Sequence, residues 1–295
     1  MEYDNFIETI RKRAGKTAGK GGKAFINKVI KNNGKEMDGL VILEDGYSVA
    51  PAIYLNDYYD DYRSGTDIDM IMNDILTVYY KNRDAVCFNT DLFGDFKNVK
   101  GRIVYRLINY EKNKDLLRDV PHKKFMDLAI VYYCIVKRSE SYLATTMIKN
   151  EFMENWGVSE ELLYELAKKN TPKILKARIA PITGFLNEIS GSEVYEVPDE
   201  TESYMYVMTN MTRVNGASCM LYNGVLEEFS RRLNRDLYIL PSSVHELIIV
   251  PASDGINSEG LKLIVKDINE KGVADEEVLS DNVYTYSLKE RKIIL

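Results

Sequence analysis

The apolar residues of this chain come in short runs. The longest is LAIVYYCIV, Leu128 to Val136, nine residues between Asp127 and Lys137. A helix crossing a bilayer needs roughly 20 apolar residues, so this run is too short to span one. It suits a strand buried in a sheet, being rich in Ile, Val and Tyr. Tyrosine is abundant throughout, 21 of 295 residues, and suits half-buried sheet positions where the ring packs and the hydroxyl finds a partner. A chain of this length buries about three quarters of its unfolded surface and needs no covalent staples.

Three decapeptides share a pattern: IYLNDYYDDY (53–62), MIKNEFMENW (147–156) and MLYNGVLEEF (220–229). Each starts apolar, carries Asn at its fourth position (Asn56, Asn150, Asn223) and ends on Tyr62, Trp156 or Phe229. The pattern predicts a strand that ends at Asn, whose side chain caps a helix by accepting a backbone N–H. Acids in the first turn then face the positive end of the helix dipole. The terminal aromatic pins the helix to the sheet. Strands are expected over KAFINKVI, GLVIL, RIVYRLINY, YLATTMI, YMYVMT, DLYIL, VHELIIV, NVYTYS and RKIIL. Helices are expected over YDNFIETIRKR, RSGTDIDMIMNDILTVYY from Thr66, GVSEELLYELAKKN from Ser159, and SEGLKLIVKDINEKG. Asn215-Gly216 reads as a hairpin turn before a strand CMLY.

The fold class that follows is α+β, with mainly antiparallel sheets, helices on one face, and repeated strand–Asn–helix units. The expected organisation is an N-terminal helix with a basic flexible arm (1–22), three α+β units (23–98, 99–184 and 204–295), and an acidic linker (185–203).

Charge is uneven. Residues 1–35 hold nine cations and three carboxylates in a chain whose formal net charge is -6, and residues 9–35 hold no acid. Lys16, Lys20 and Lys23 are the candidates for touching nucleic acid or another anion. Within this arm, GKGGKA (19–24) fits the spacing of a dinucleotide loop. That loop works only between a strand and a helix N-terminus, and here the expected order is helix then strand. The GKT at Gly15 lacks the earlier glycine of a phosphate loop, since position 10 is Ile10.

YILPSSVHELIIVP (238–251) brings Ser242, Ser243, His245 and Glu246 together. A hydrolase needs nucleophile, base and orienting acid in contact. On a strand, Ser243 and His245 share a face about 7 Å apart, with Glu246 on the other face. HELII also lacks the second histidine of a metalloprotease helix. The expectation is a structural His245, on one face with Leu247 and Ile249, held by Ser242, Ser243 or a backbone group. Ser243, His245 and Glu246 remain the catalytic candidates. His122, in VPHKKF, is expected in a turn.

No metal site and no cofactor are expected. Asp57, Asp60, Asp61, Asp67 and Asp69 lack the spacing of a calcium loop and suit helix starts. Cys87, Cys134 and Cys219 are odd in number and far apart, with no CxxC pair. Cys134 reads as core and Cys87 as the most exposed of the three. Together with an N-terminus that does not resemble a secretory signal, this predicts a cytoplasmic protein without a membrane partner.

YLNDYY, VPHKKFMDLAIVYY, ENWGVSEELLYELAKKNTP, YILPSSVHELIIVP and VLSDNVYTY, in this order, resemble a bacterial family, domain-of-unknown-function family 5688, from about residue 23 to 287. The resemblance implies no assigned activity. Ser243, His245 and Glu246 match its pattern but inherit no role from it. The function expected is that of a non-catalytic cytoplasmic interaction or accessory protein with an unknown protein partner. Two alternatives stay open: a hydrolase using Ser243 and His245, and nucleic-acid binding through the basic arm.

Overall fold

The computed structural model describes residues 1–47, 50–86, 93–138, 143–199 and 201–295. Cys87 lies outside them. The fold is α+β, and it divides into two units, one of Met1–Lys100 with Ile135–Thr146 and one of Gly101–Cys134 with Met147–Leu295. The first holds the residues expected as arm and first α+β unit. The second holds most of those expected as the other two.

In unit 1 the helix α1 (Tyr3–Gly15) precedes β1 (Lys23–Ile30), β2 (Glu36–Leu43) and β3 (Ala52–Tyr54). The three strands form an antiparallel sheet in that order. Then come α2 (Asn56–Arg63), α3 (Ile68–Val86) and the single turn α4 (Phe96–Val99). Phe6, Ile10 and Ala14 recur every four residues on α1 and are fully buried against Leu40, Ile42 and Ile75. Burying a side chain such as Phe6 or Ile10 contributes about 1.5–3 kcal/mol. The joint expected to be flexible also joins this core, since Ala18 is 4% exposed. GKGGKA lies between α1 and β1, the helix-then-strand order that a dinucleotide loop cannot use.

Unit 2 begins with β4 (Ile103–Asn109), the short α5 (Lys114–Leu117) and β5 (His122–Phe125). β6 (Leu128–Arg138) is the predicted apolar strand; it pairs antiparallel with β4 and β5, and β7 (Leu143–Met147) also pairs with it, although β6 from Ile135 and β7 up to Thr146 are counted in unit 1. His122 opens β5 rather than sitting in a turn, where it stands opposite Val131 in the antiparallel ladder. Then follow α6 (Asn150–Trp156) and α7 (Glu160–Ile174). Ser159 caps α7 by accepting from the Leu162 amide. α7 packs on β4, where the Tyr105 N–H donates to Thr171 Oγ1 at 3.1 Å.

The remaining elements are β8 (Ala177–Pro181), α8 (Ile182–Ser190), β9 (Tyr206–Asn210), α9 (Val225–Leu233), β10 (Leu237–Leu240), β11 (Leu247–Pro251), α10 (Ser258–Gly272), β12 (Tyr284–Ser287) and β13 (Lys292–Ile294). Their strands form an antiparallel sheet ordered β13-β12-β10-β11-β9-β8.

Several expectations are corrected. The segment 185–203 is not all linker: Phe185 buries from α8, and Gly191 ends that helix in a left-handed conformation (φ 68°). CMLY is not a strand, and Asn215-Gly216 is not a hairpin turn. Gly216–Leu221 is a 3-10 helix whose first amides, of Gly216 and Ala217, donate to the carbonyls of His245 and Val244 instead of to β9. The third decapeptide therefore joins two helices, not a strand to a helix. Nor does any of the three asparagines cap its helix. The caps are Leu55, Lys149 and Gly224, none with a side-chain bond. Asn56 Oδ1 instead accepts the Asp38 N–H, and Asn150 Nδ2 donates to the Arg118 carbonyl. The terminal aromatic does pack on a strand in the third copy, where Phe229 meets Tyr206 of β9 edge-to-face at 4.9 Å.

Candidate functional site

The residues singled out for chemistry lie between β10 and β11. Pro241 to Glu246 form no strand. Ser243 makes an isolated antiparallel bridge with Val278, and His245 sits in a bend before β11 opens at Leu247. The expected strand face shared by His245, Leu247 and Ile249 therefore does not form. The backbone of this loop is committed on two sides instead. On one side Val244 N–H donates to Glu277, and Leu279 and Ser280 donate to Ser242 and Pro241. On the other side Val244 and His245 take the amides of the 3-10 helix.

A second loop meets His245 from β9. Asn210 is fully buried and folds the turn after that strand: its Oδ1 accepts from the Thr212 amide and hydroxyl, and its Nδ2 donates to Val214 O. Arg213 and Asn215 adopt left-handed backbone (φ 55° and 54°). The turn delivers the Asn215 N–H to His245 Nδ1 at 3.2 Å. A ring nitrogen that accepts carries no proton, so the neutral ring holds its proton on Nε2. Nε2 faces Glu277 Oε1 at 3.4 Å. Thr209 Oγ1 donates to the His245 carbonyl at 2.8 Å.

Gly216 makes this approach feasible. A Cβ there would stand 2.2 Å from Thr209 Oγ1 and 2.6 Å from the His245 carbonyl oxygen.

Ser243 and His245 interact through the His245 backbone amide, not through the ring. The His245 amide donates to Ser243 Oγ at 3.0 Å, and Ser243 is 7% exposed. The ring nitrogens face other groups. Glu246 is half-buried; burial foremost, with Glu277 adding, pushes its carboxyl above the usual carboxylate range, while His245 and Arg213 pull it back. Arg213 itself pairs with Glu188, as does Arg178. The arrangement builds a rigid polar junction. It offers no exposed hydroxyl beside a free imidazole nitrogen.

Local sequence reasoning carries no signal for Asn215 or Glu277 as partners of His245, since they lie thirty or more positions away. Nor did it reveal the hub one strand further on. Asp127 accepts from Ser280 Oγ (2.6 Å), Asn282 Nδ2 (3.0 Å) and the Tyr284 hydroxyl (2.5 Å). Asn109 Nδ2 donates to the Leu279 carbonyl beside it. Two of the segments that carried the family resemblance, VPHKKFMDLAIVYY and VLSDNVYTY, are thus joined through Asp127.

That resemblance is a membership. The chain belongs to DUF5688. It matches this family of unknown function over residues 3–288, so the match takes in α1 as well as both units. No curated protein and no solved structure matches the chain. As a DUF5688 member the chain therefore inherits no catalytic residue, and its candidates rest on geometry alone.

The other candidates are apart from this junction. Lys16 follows α1, Lys20 lies in the turn after it and Lys23 opens β1; all three are exposed. Among the described residues, none of them has a carboxylate within ion-pair distance. Asp57 and Asp69 stand in the first turns of α2 and α3, and Asp69 pairs with Arg13. Cys134 and Cys219 are buried and not disulfide-bonded, and burial pushes both thiols up to about 12. No helix among the described residues is long and apolar enough to cross a membrane.

Proposed function

We propose that this protein is a non-catalytic interaction protein of the cytoplasm, and that it docks a partner on the α8 face of unit 2. One observation carries the proposal: large apolar side chains of α8, of the segment after it and of the turn after β9 are exposed. Ile189 is 63% exposed, Val194 67%, Tyr204 86% and Met211 64%. Val194, Tyr195 and Val197 line one cleft with α8, while Tyr204 and Met205 line a second, and Glu196 borders both. Single exposed apolar residues are ordinary, but a continuous patch marks a docking surface. The chemistry of the partner follows from charge. In the sequence, residues 191–205 carry Glu193, Glu196, Asp199, Glu200 and Glu202 and no cation, which favours a protein segment that alternates basic with apolar side chains. The commitment of Ser243 and His245 to the fold supports a role without catalysis.

The test uses the full chain in native cells with a photo-crosslinking residue at Tyr204. A single crosslinked protein, lost on Ile189→Ser/Met211→Ser with unchanged circular dichroism, is the expected result. A partner retained by that variant, or crosslinking equally strong from position 238, would sink the docking face. Labelling of Ser243 by a fluorophosphonate, abolished by His245→Gln, would turn the protein into a hydrolase.

The exposed and unpaired Lys16, Lys20 and Lys23 favour a second reading, nucleic-acid binding. Phosphate contacts release counterions, so affinity should fall steeply with salt. Fluorescence anisotropy that shows no low-salt binding, or no change on neutralising the three lysines, removes it.

A further inference from the structure

Unit 2 holds a second constellation that neither function uses. A cavity of ≈ 430 Å³ is lined by residues of β5, α7, β13 and the turn into α9. Five cations face it, Lys123, Lys124, Lys168, Arg291 and Lys292, against one carboxylate, Glu227. This concentration stands out in a chain of net charge -6.

The cations divide into two groups. Arg291 lies 3.5 Å from Glu227, and Lys292 lies 2.8 Å from Glu290. Among the described residues, Lys123, Lys124 and Lys168 have no carboxylate within ion-pair distance. Lys123 lies over the Tyr164 ring at 4.3 Å and Lys124 over the Tyr110 ring at 4.5 Å. Ring faces hold a cation without neutralising it. Like charges gathered on one wall repel each other until an anion joins them.

The cavity also receives the start of α9, a nine-residue helix. Its cap is Gly224, left-handed at φ 80°, and no side chain bonds to the first-turn amides. A Cβ at Gly224 would meet nothing within 4 Å, so the helix start opens onto free space. The Asn223 carboxamide beside it makes no hydrogen bond among the described residues. Helix N-termini and ammonium groups favour the same ligand, a multiply charged oxyanion.

We infer that this cavity binds a small phosphate-bearing molecule of mononucleotide size. The lysines of β5 and α7 and the start of α9 hold the phosphates, and the tyrosine side of the cavity takes the apolar remainder. The volume lies within the range of small-molecule sites, roughly 300–1,000 Å³. The docking face of α8 shares no lining residue with it.

The test is calorimetric titration of the full chain with inorganic pyrophosphate, ATP and adenosine at low salt. Pyrophosphate and ATP should bind, and adenosine should bind far more weakly. Lys123→Gln/Lys168→Gln should weaken both by about tenfold, as expected for two solvated ion pairs. Lys16→Gln/Lys20→Gln/Lys23→Gln should leave them unchanged. Circular dichroism checks each fold, and Arg291→Gln replaces the double variant if that variant does not fold. Absence of pyrophosphate and ATP binding at millimolar concentration overturns the inference. So does equal affinity in the pocket variant.

Discussion

In the loop at His245, the ring nitrogens, the Ser243 hydroxyl and the flanking carbonyls all meet groups of the same chain. In the cavity before α9, among the described residues, three lysines have no carboxylate within ion-pair distance, the Asn223 carboxamide makes no hydrogen bond and no side chain caps the helix start. The first region looks chemical in the sequence because its polar residues are adjacent. The second does not, because its cations come from β5, α7 and β13. The difference is between polar groups that stabilise a fold and polar groups that remain available to a ligand. Buried polar groups must be satisfied internally, whereas solvated cations need not be.

The contrast breaks first at Gly216. If the His245 junction is as tightly closed as its distances say, Gly216→Ala should destabilise the protein by about 3 kcal/mol, the upper range for overpacking. The added methyl would meet both Thr209 Oγ1 and the His245 carbonyl. Urea denaturation measures it, and a loss near zero would mean that the loop yields freely. Asp127→Asn comes next, at about 2 kcal/mol, because an amide offers a donor where three donors already converge.

His245→Gln and Ser243→Ala sharpen the contrast at a smaller scale. Each removes a partner of one amide, and each should cost about 1 kcal/mol. Lys168→Gln in the cavity should stay within about 0.5 kcal/mol, as surface changes do. Equal losses at His245 and Lys168 would erase the distinction between a structural and a ligand-facing group.

Period and turn chemistry made much of the fold legible. LAIVYYCIV became β6, SEGLKLIVKDINEKG became α10, and Ser159 opened α7, because each depends on near neighbours. The 3-10 helix at Gly216 was not legible. Its residues read as a strand, and only the carbonyls of Val244 and His245 decide otherwise. The shared asparagines misled for the same reason. Asn56 and Asn150 stand at helix starts, yet their side chains serve the distant Asp38 and Arg118 backbones. α8 was hidden by the acidic, Gly- and Ser-containing segment that follows it. Partners such as Glu277 and Asp127 are tertiary facts with no spacing to announce them.

The smallest effect tests whether Glu246 belongs to the closed region in spite of its charge. Burial raises its folded-state carboxyl pKa above the ordinary 4.5. The folded state then holds its proton at pH values where the unfolded state has released it. Stability therefore falls as pH rises from the ordinary value through the raised one, and above both the loss is complete. Glu246→Gln removes the ionisation and keeps the shape. Its melting temperature should match that of the parent well below pH 4.5 and exceed it increasingly toward neutrality. Glu277 works in the same direction, while His245 and Arg213 oppose it, so the gain should stay modest. Removing Arg213 as well should widen it, since the guanidinium that favours the ionised carboxylate is then gone. A melting-temperature difference that is flat across pH, or that shrinks toward neutrality, would show that Glu246 is solvated when folded and stands outside the junction that binds Ser243 and His245.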